Sequence, residues 1–195
     1  MTAQLSDLYL PPGGWTTDDL DRLPENNRRY ELIDGALIVP PSPTHVHQTV
    51  VLRLGSVLEE SCPPEYYVTQ GVEVRVSKRR SFIPDVLVTT AEAAARRTAK
   101  FAPDEVVLAV EVVSPGSVTM DRIAKVALYA QAGIPFYWRV ETDHAIAVHT
   151  HRLDAASGVY VQTGEFAETV QVSEPWPIAL PVSRITPRLL RARHE

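Results

Sequence analysis

Apolar and polar residues alternate with several different periods along the chain, and each change of period marks an element. Thr16-Thr17-Asp18-Asp19-Leu20 offers two capping hydroxyls and two first-turn carboxylates, which the helix dipole favours, so a short helix ending near Pro24 is expected. Tyr30 to Val39 reads as two β-prone runs around Asp34-Gly35, a strong hairpin turn signal, and Pro40, Pro41 and Pro43 stop the second run. From His45 to Glu60 the residues Val46, Val50, Leu54, Val57 and Leu58 recur at helical spacing, and Pro63-Pro64 closes that helix. Tyr66 to Ser77 carries Val68, Val72, Val74 and Val76 and predicts one strand. Phe82 to Thr90 predicts another, with Pro84 near its start, where a missing N–H is tolerated. Ala91 to Lys100 is alanine-rich and basic, as in a short exposed helix.

Val106 to Val113 is almost wholly apolar and β-branched, the pattern of a central strand covered on both faces, with one charge, Glu111, inside it. Ser114-Pro115-Gly116-Ser117 breaks it, and a helix from Val118 to Ala132 follows, stopped by Gly133. Phe136 to Val140 and Ala145 to His151 predict two more strands, and Tyr160 to Val172 a further hairpin. The remainder is proline-rich and irregular before a short basic helix at the C-terminal end. A strand, helix and strand over 106–140 form a crossover unit, whereas the earlier hairpins are antiparallel. The expected fold is α/β, a mixed central sheet flanked by helices. Its expected organisation is a flexible arm over 1–14, one domain over 15–186, and a basic tail or short helix over 187–195.

Composition narrows the function classes. Of 195 residues 45% are hydrophobic and 22% charged, a globular balance, and the lone Cys62 excludes an internal disulfide and any cysteine-rich zinc site. Met1 to Leu10 has neither a basic start nor an apolar run, and no stretch approaches the roughly 20 apolar residues that span a bilayer. A cytoplasmic protein with no membrane partner is the expectation. The net charge of −5 argues against a dedicated nucleic-acid binder, but acidic metal ligands lower net charge in an enzyme. Basic residues cluster at Lys78-Arg79-Arg80, around Arg96-Arg97, and from Arg184 to Arg193; short runs of this kind are usually solvated surface.

Glu111 is the most informative residue. A carboxylate inside an apolar strand is desolvated and needs a cation, a proton or a partner. Asp85, after Pro84 and at the mouth of Val86-Leu87-Val88, is alone no more than a common turn aspartate. Each flanks a β-rich run, compatible with adjacent strands, and two carboxylates converging there make a hard oxygen site suited to Mg²⁺ or Mn²⁺.

Ile83-Pro84-Asp85 followed by Val110-Glu111-Val112-Val113-Ser114-Pro115 resembles the PD-(D/E)XK nuclease superfamily. Tyr30-Glu31-Leu32-Ile33-Asp34-Gly35, His45 opening a helix, Asp121, Lys125 and Tyr129 at four-residue spacing, and Gly133 to Trp138 narrow the resemblance. In order, from about residue 16 to 185, they are similar to the Uma-type branch, a bacterial family of restriction-endonuclease-like proteins. The resemblance implies a restriction-endonuclease-like fold and a metal-dependent endonuclease. Asp85 and Glu111 would ligate Mg²⁺ (or Mn²⁺), and Glu31 would be a third acidic contributor. The superfamily's lysine lies two residues after the glutamate, where this chain has Val113; Lys125, on the next helix, is the implied substitute. DNA is the implied substrate, RNA the less expected one, and a homodimer is in keeping with cutting both strands.

Other residues compete for a role. Lys125 also reads as a surface residue paired with Asp121 across one helical turn. His45, near His47 and Gln48, is an accessory candidate as well as a plain helix-start residue. His149 and His151 alternate along a strand and, with His45 and His47, evoke a cupin-type metal barrel, which two long helices contradict. Ser114 lacks the G-x-S-x-G surroundings of a nucleophile elbow, but the break after it could present backbone N–H groups to a phosphate. Trp138 reads as core. Beside the nuclease stand two alternatives: a catalytically idle relative that binds nucleic acid or protein, and a structural domain with Glu111 neutralised by an arginine.

Overall fold

A computed structural model describes residues 11–24, 28–114, 124–143 and 145–191. The first helix, α1 (Thr17–Leu20), is held by a reciprocal capping box between Thr16 and Asp19. Strands β1 (Glu31–Ile33) and β2 (Ala36–Ile38) form the expected hairpin. Its turn places Asp34 at φ 51° and Gly35 at φ 85°, the paired left-handed conformation that favours Asp-Gly in a two-residue hairpin. Helix α2 (His45–Ser61) starts at Thr44, whose side chain accepts the His47 N–H.

The two strands expected over 66–77 and 82–90 are each divided. β3 (Tyr66–Gln70) is separated from β4 (Glu73–Ser77) by Gly71 at φ 61°, and β5 (Arg80–Phe82) from β6 (Val86–Thr90) by Ile83-Pro84-Asp85. In both cases the chain passes from one sheet to another. A left-handed glycine and a proline without an N–H are the residues that permit such exits. The helix expected over 91–100 is shorter, α3 (Ala91–Ala95), and Lys100–Phe101 forms a short strand, β7.

Strands β8 (Val106–Val112), β9 (Phe136–Glu141), β10 (Ala147–Asp154) and β11 (Val159–Phe166) follow, with α4 (Lys125–Gln131) between β8 and β9. Residues 115–123, which include most of the first half of the helix expected over 118–132, lie outside the described residues; Gly133 ends α4 at φ 79° as expected. The hairpin expected over 160–172 is not formed. β11 pairs with β10, whereas β12 (Thr169–Val172) pairs with β13 (Ile178–Pro181) in a region expected to be irregular. Short helices α5 (Val182–Ile185) and α6 (Arg188–Arg191) close the described chain.

A six-stranded sheet runs β11-β10-β9-β8-β6-β3, and a five-stranded sheet runs β2-β1-β5-β4-β7. β8 is interior, antiparallel to β6 and parallel to β9, so 106–141 is the expected crossover within a mixed sheet. Period-2 alternation then sorts its residues. Val86, Val88, Leu108, Val110 and Val112 face α2 (Val50, Leu54, Leu58) and the β13–α5 segment. Leu87, Ala109 and Tyr137 face the other way, against Leu128 and Tyr129 of α4 and Val74 and Phe82 of the five-stranded sheet. Among the described residues no helix is long and apolar enough to cross a membrane.

Candidate active site

The β6–β8 register aligns Val86 with Val110 and Leu87 with Ala109. Continued by one residue, it sets position 85 opposite position 111, so Asp85 and Glu111 share the face of Leu87 and Ala109. Both are buried, with 9% and 2% of their surface exposed. The two carboxylates expected to meet are cross-strand neighbours at one end of a buried strand pair.

Each is held by a different set of groups. Asp85 Oδ2 accepts the Val112 N–H at 2.9 Å and lies 3.0 Å from His47 Nε2. Burial by itself raises the Asp85 carboxyl. The hydrogen bond and charge of His47, the Val112 N–H and the charge of Lys125 together outweigh it and leave the group below its ordinary value. Glu111 Oε1 accepts from Lys125 Nζ at 3.0 Å and from the Tyr129 hydroxyl. Lysine and tyrosine stand one helical turn apart on α4 and therefore reach the same oxygen. Burial, with the nearby charges of Glu111 and Glu31, pushes the Tyr129 phenol well above its ordinary value, so it remains a donor to the carboxylate.

Glu31 enters from the other sheet. Its Oε1 accepts the Ile83 N–H at 2.9 Å, tying β1 to the segment that carries Asp85, and lies 3.1 Å from Lys125 Nζ. The Lys125 ammonium thus bridges Glu31 and Glu111, and only 7% of the residue is exposed. That burial overturns the reading of Lys125 as a surface residue; Asp121, its supposed partner, lies outside the described residues. Val113, where the superfamily's lysine would stand, is fully buried, and its N–H donates to Val140 O.

These groups open onto a cleft of about 420 Å³ whose lining includes Glu31, Asp85, Glu111, Lys125, His47 and Ser114. Val39 to Pro43 and the two arginines Arg28 and Arg29 also line it. Residues 115–117, expected to offer backbone donors there, are outside the described residues.

Of the residues singled out from sequence, Asp85, Glu111, Glu31 and Lys125 are brought together and His45 is not. His45 is the first residue of α2 and exposed, whereas His47, two residues on, is buried against Asp85. The helical phase carried the signal: His47 shares the buried stripe with Val50, Val51, Leu54 and Leu58, and His45 lies off it. Tyr129, Arg28 and Arg29 were likewise given no role, although Tyr129 stands four residues after Lys125. His149 lies 3.6 Å from Glu165, and His151 packs against the rings of Tyr137 and Tyr160; neither lines this cleft. The open mixed sheet also leaves no place for the cupin-type barrel.

A hard divalent ion fits this donor set in one way. Among the described residues no three His, Cys, Asp or Glu side chains converge closely enough to hold an ion on their own. Mg²⁺, however, is typically bound through one or two carboxylates, with water and substrate phosphate completing its shell. Two aligned carboxylates beside a cleft meet that lesser requirement.

Comparison with known proteins agrees with this architecture. A crystal structure described as "a putative nuclease belonging to DUF820", from Anabaena variabilis, superposes with a TM-score of 0.65 at 20% sequence identity, over 87% of this chain and 96% of that one. No curated protein matches significantly. The fold is restriction-endonuclease-like. The family model for Uma2, described as "Putative restriction endonuclease", matches residues 17–183, and the chain belongs to that family.

Proposed function

We propose that the protein is a metal-dependent endonuclease that hydrolyses phosphodiester bonds in nucleic acid, DNA foremost. The observation that carries this reading is the cross-strand alignment of Asp85 and Glu111 beside a cleft, with a buried lysine bonded to one of them. Asp85 and Glu111 would hold Mg²⁺ or Mn²⁺, and such an ion polarises a phosphoryl oxygen and acidifies a bound water.

The chain's own groups do the rest. Lys125 presents an ammonium beside Glu111, where it offsets negative charge gathering on the phosphate in the transition state. Glu31 holds that ammonium from the opposite side. Tyr129 and His47 fix the rotamers of Glu111 and Asp85, so that neither carboxylate has to be ordered when substrate arrives.

The test is thermal melting at millimolar Mg²⁺ or Mn²⁺, paired with plasmid and oligonucleotide cleavage. Metal should raise the Tm of the wild type and leave Asp85→Asn and Glu111→Gln where they were. Absence of a wild-type shift removes the metal site. A shift without cleavage of single- or double-stranded substrates leaves the alternative, an idle relative that retains its ion site.

A further inference from the structure

The sequence offers one candidate for holding a substrate phosphate, the break after Ser114, and residues 115–117 of it lie outside the described residues. The cleft floor carries the carboxylates of Glu31, Asp85 and Glu111, which repel a phosphate. The lining stretch from Val39 to Pro43 contains three prolines and so offers little backbone N–H to hold one. Among the described residues, positive charge at the rim comes from Arg28 and Arg29, in the stretch before β1.

There Arg29 has an unusual seat. Its Nη1 lies 3.9 Å from Asp85 Oδ1, close enough for attraction but beyond hydrogen-bond range. The Arg29 side chain is 51% exposed, although it faces a carboxylate that is nearly buried. Asp85 takes its hydrogen bonds from Val112 and His47 instead, through the other oxygen. The guanidinium lies across Gly71, where an added Cβ would stand 2.9 Å from Arg29 Nη2. Gly71 at φ 61° therefore serves twice, turning the chain between sheets and leaving room for the arginine. An arginine built only to neutralise Asp85 would close on it. This one is held over a glycine, half exposed in the cleft lining.

We infer that Arg29 is a phosphate anchor: its guanidinium grips the nucleic-acid backbone next to the phosphodiester that the carboxylates address. The inference rests on the proposed function of the same cleft. A guanidinium fork suits a phosphate because two parallel N–H groups meet two oxygens, which an ammonium on the same stem does not reproduce. Arg29 also places a positive field between bulk solvent and an acidic floor, so an incoming strand meets attraction first.

The experiment measures binding, by fluorescence anisotropy of a labelled 20-nucleotide DNA strand and its duplex in Ca²⁺, over a range of salt concentrations. Arg29→Met should weaken binding about tenfold and lower the slope of log affinity against log salt by about one. Arg29→Lys should keep the slope and lose part of the affinity. Arg22→Met, which removes an exposed charge that does not line the cleft, should change neither. Arg29→Gln is the second neutral variant, and melting temperatures confirm that each variant is folded. Wild-type binding that persists unchanged in both neutral variants overturns the anchor and leaves the nuclease reading standing. Equal losses in Arg29→Met and Arg22→Met also overturn it, since overall charge would then explain binding. If the wild type neither binds nor cuts either substrate, the nuclease reading fails and the anchor with it.

Discussion

The two faces of the six-stranded sheet are made from the same strands, one residue apart, and they are built on opposite terms. Toward α2, Val86, Val88, Val110, Val112, Trp138 and Val140 pack in one apolar cluster with Val50, Leu54 and Leu58. Toward α4 the same strands present Leu87, Ala109 and Tyr137, but at one end also Asp85 and Glu111, with Lys125 and Tyr129 above them. The first face needs apolar shape alone. The second buries charges and is tolerable only because each carboxylate has its hydrogen bonds supplied from elsewhere in the fold. A shift of one residue in the β6–β8 register would exchange the two environments, so the apolar face is what aims the carboxylates.

The largest expected effect comes from breaking that asymmetry on the apolar side. Val110→Asp places an unpartnered carboxylate among aliphatic side chains and should cost about 3–5 kcal/mol in urea unfolding. A variant with the wild-type midpoint would mean that the α2 face is not an apolar layer closed to water. On the polar side, Lys125→Met should lower kcat about 10²–10³-fold with the circular dichroism spectrum retained. Undiminished cleavage would take the lysine out of the chemistry. Tyr129→Phe is milder: losing a buried hydrogen bond to a charged acceptor should cost about 1.5–3 kcal/mol. Indifference of the unfolding curve to that change would show that Glu111 does not depend on the phenol.

The smallest effect lies outside both faces. Asp21 bridges Arg75 and Lys100, and hydrogen bonds from these two hold its carboxyl down to about 2. A folded-state value below the unfolded one means stability present above about 3.9 and lost as pH falls below it. Asp21→Asn should flatten the acid limb of a stability–pH profile slightly, the group being largely in solvent. An unchanged limb would locate acid sensitivity in the buried carboxylates instead.

Legibility followed the range of the interactions. Asp34-Gly35, the helix beginning at His45, the apolar run around Glu111 and the stop at Gly133 are local patterns, and each stands where the spacing of residues placed it. That the desolvated Glu111 needs a partner is a statement about the chain alone; the family resemblance named Lys125 for the chemistry, and only the structure makes it the partner of Glu111. What failed depended on partners distant in sequence. The exits at Gly71 and Ile83-Pro84-Asp85 divide runs that look continuous, because two sheets compete for them. β12 chooses β13 over β11, which β10 already occupies on one edge.

The buried carboxylate cluster divides along the same line. Residue types, alternation and turn chemistry decided by themselves that the chain would form a mixed sheet with a carboxylate inside its central strand. The meeting of Glu31 with Lys125, the choice of His47 over His45, and the seat of Arg29 on Gly71 were decided only by the packing of two sheets and α2 against one another. Backbone propensity acts over a few residues, whereas a buried charge is satisfied by whichever group the fold brings within hydrogen-bond reach.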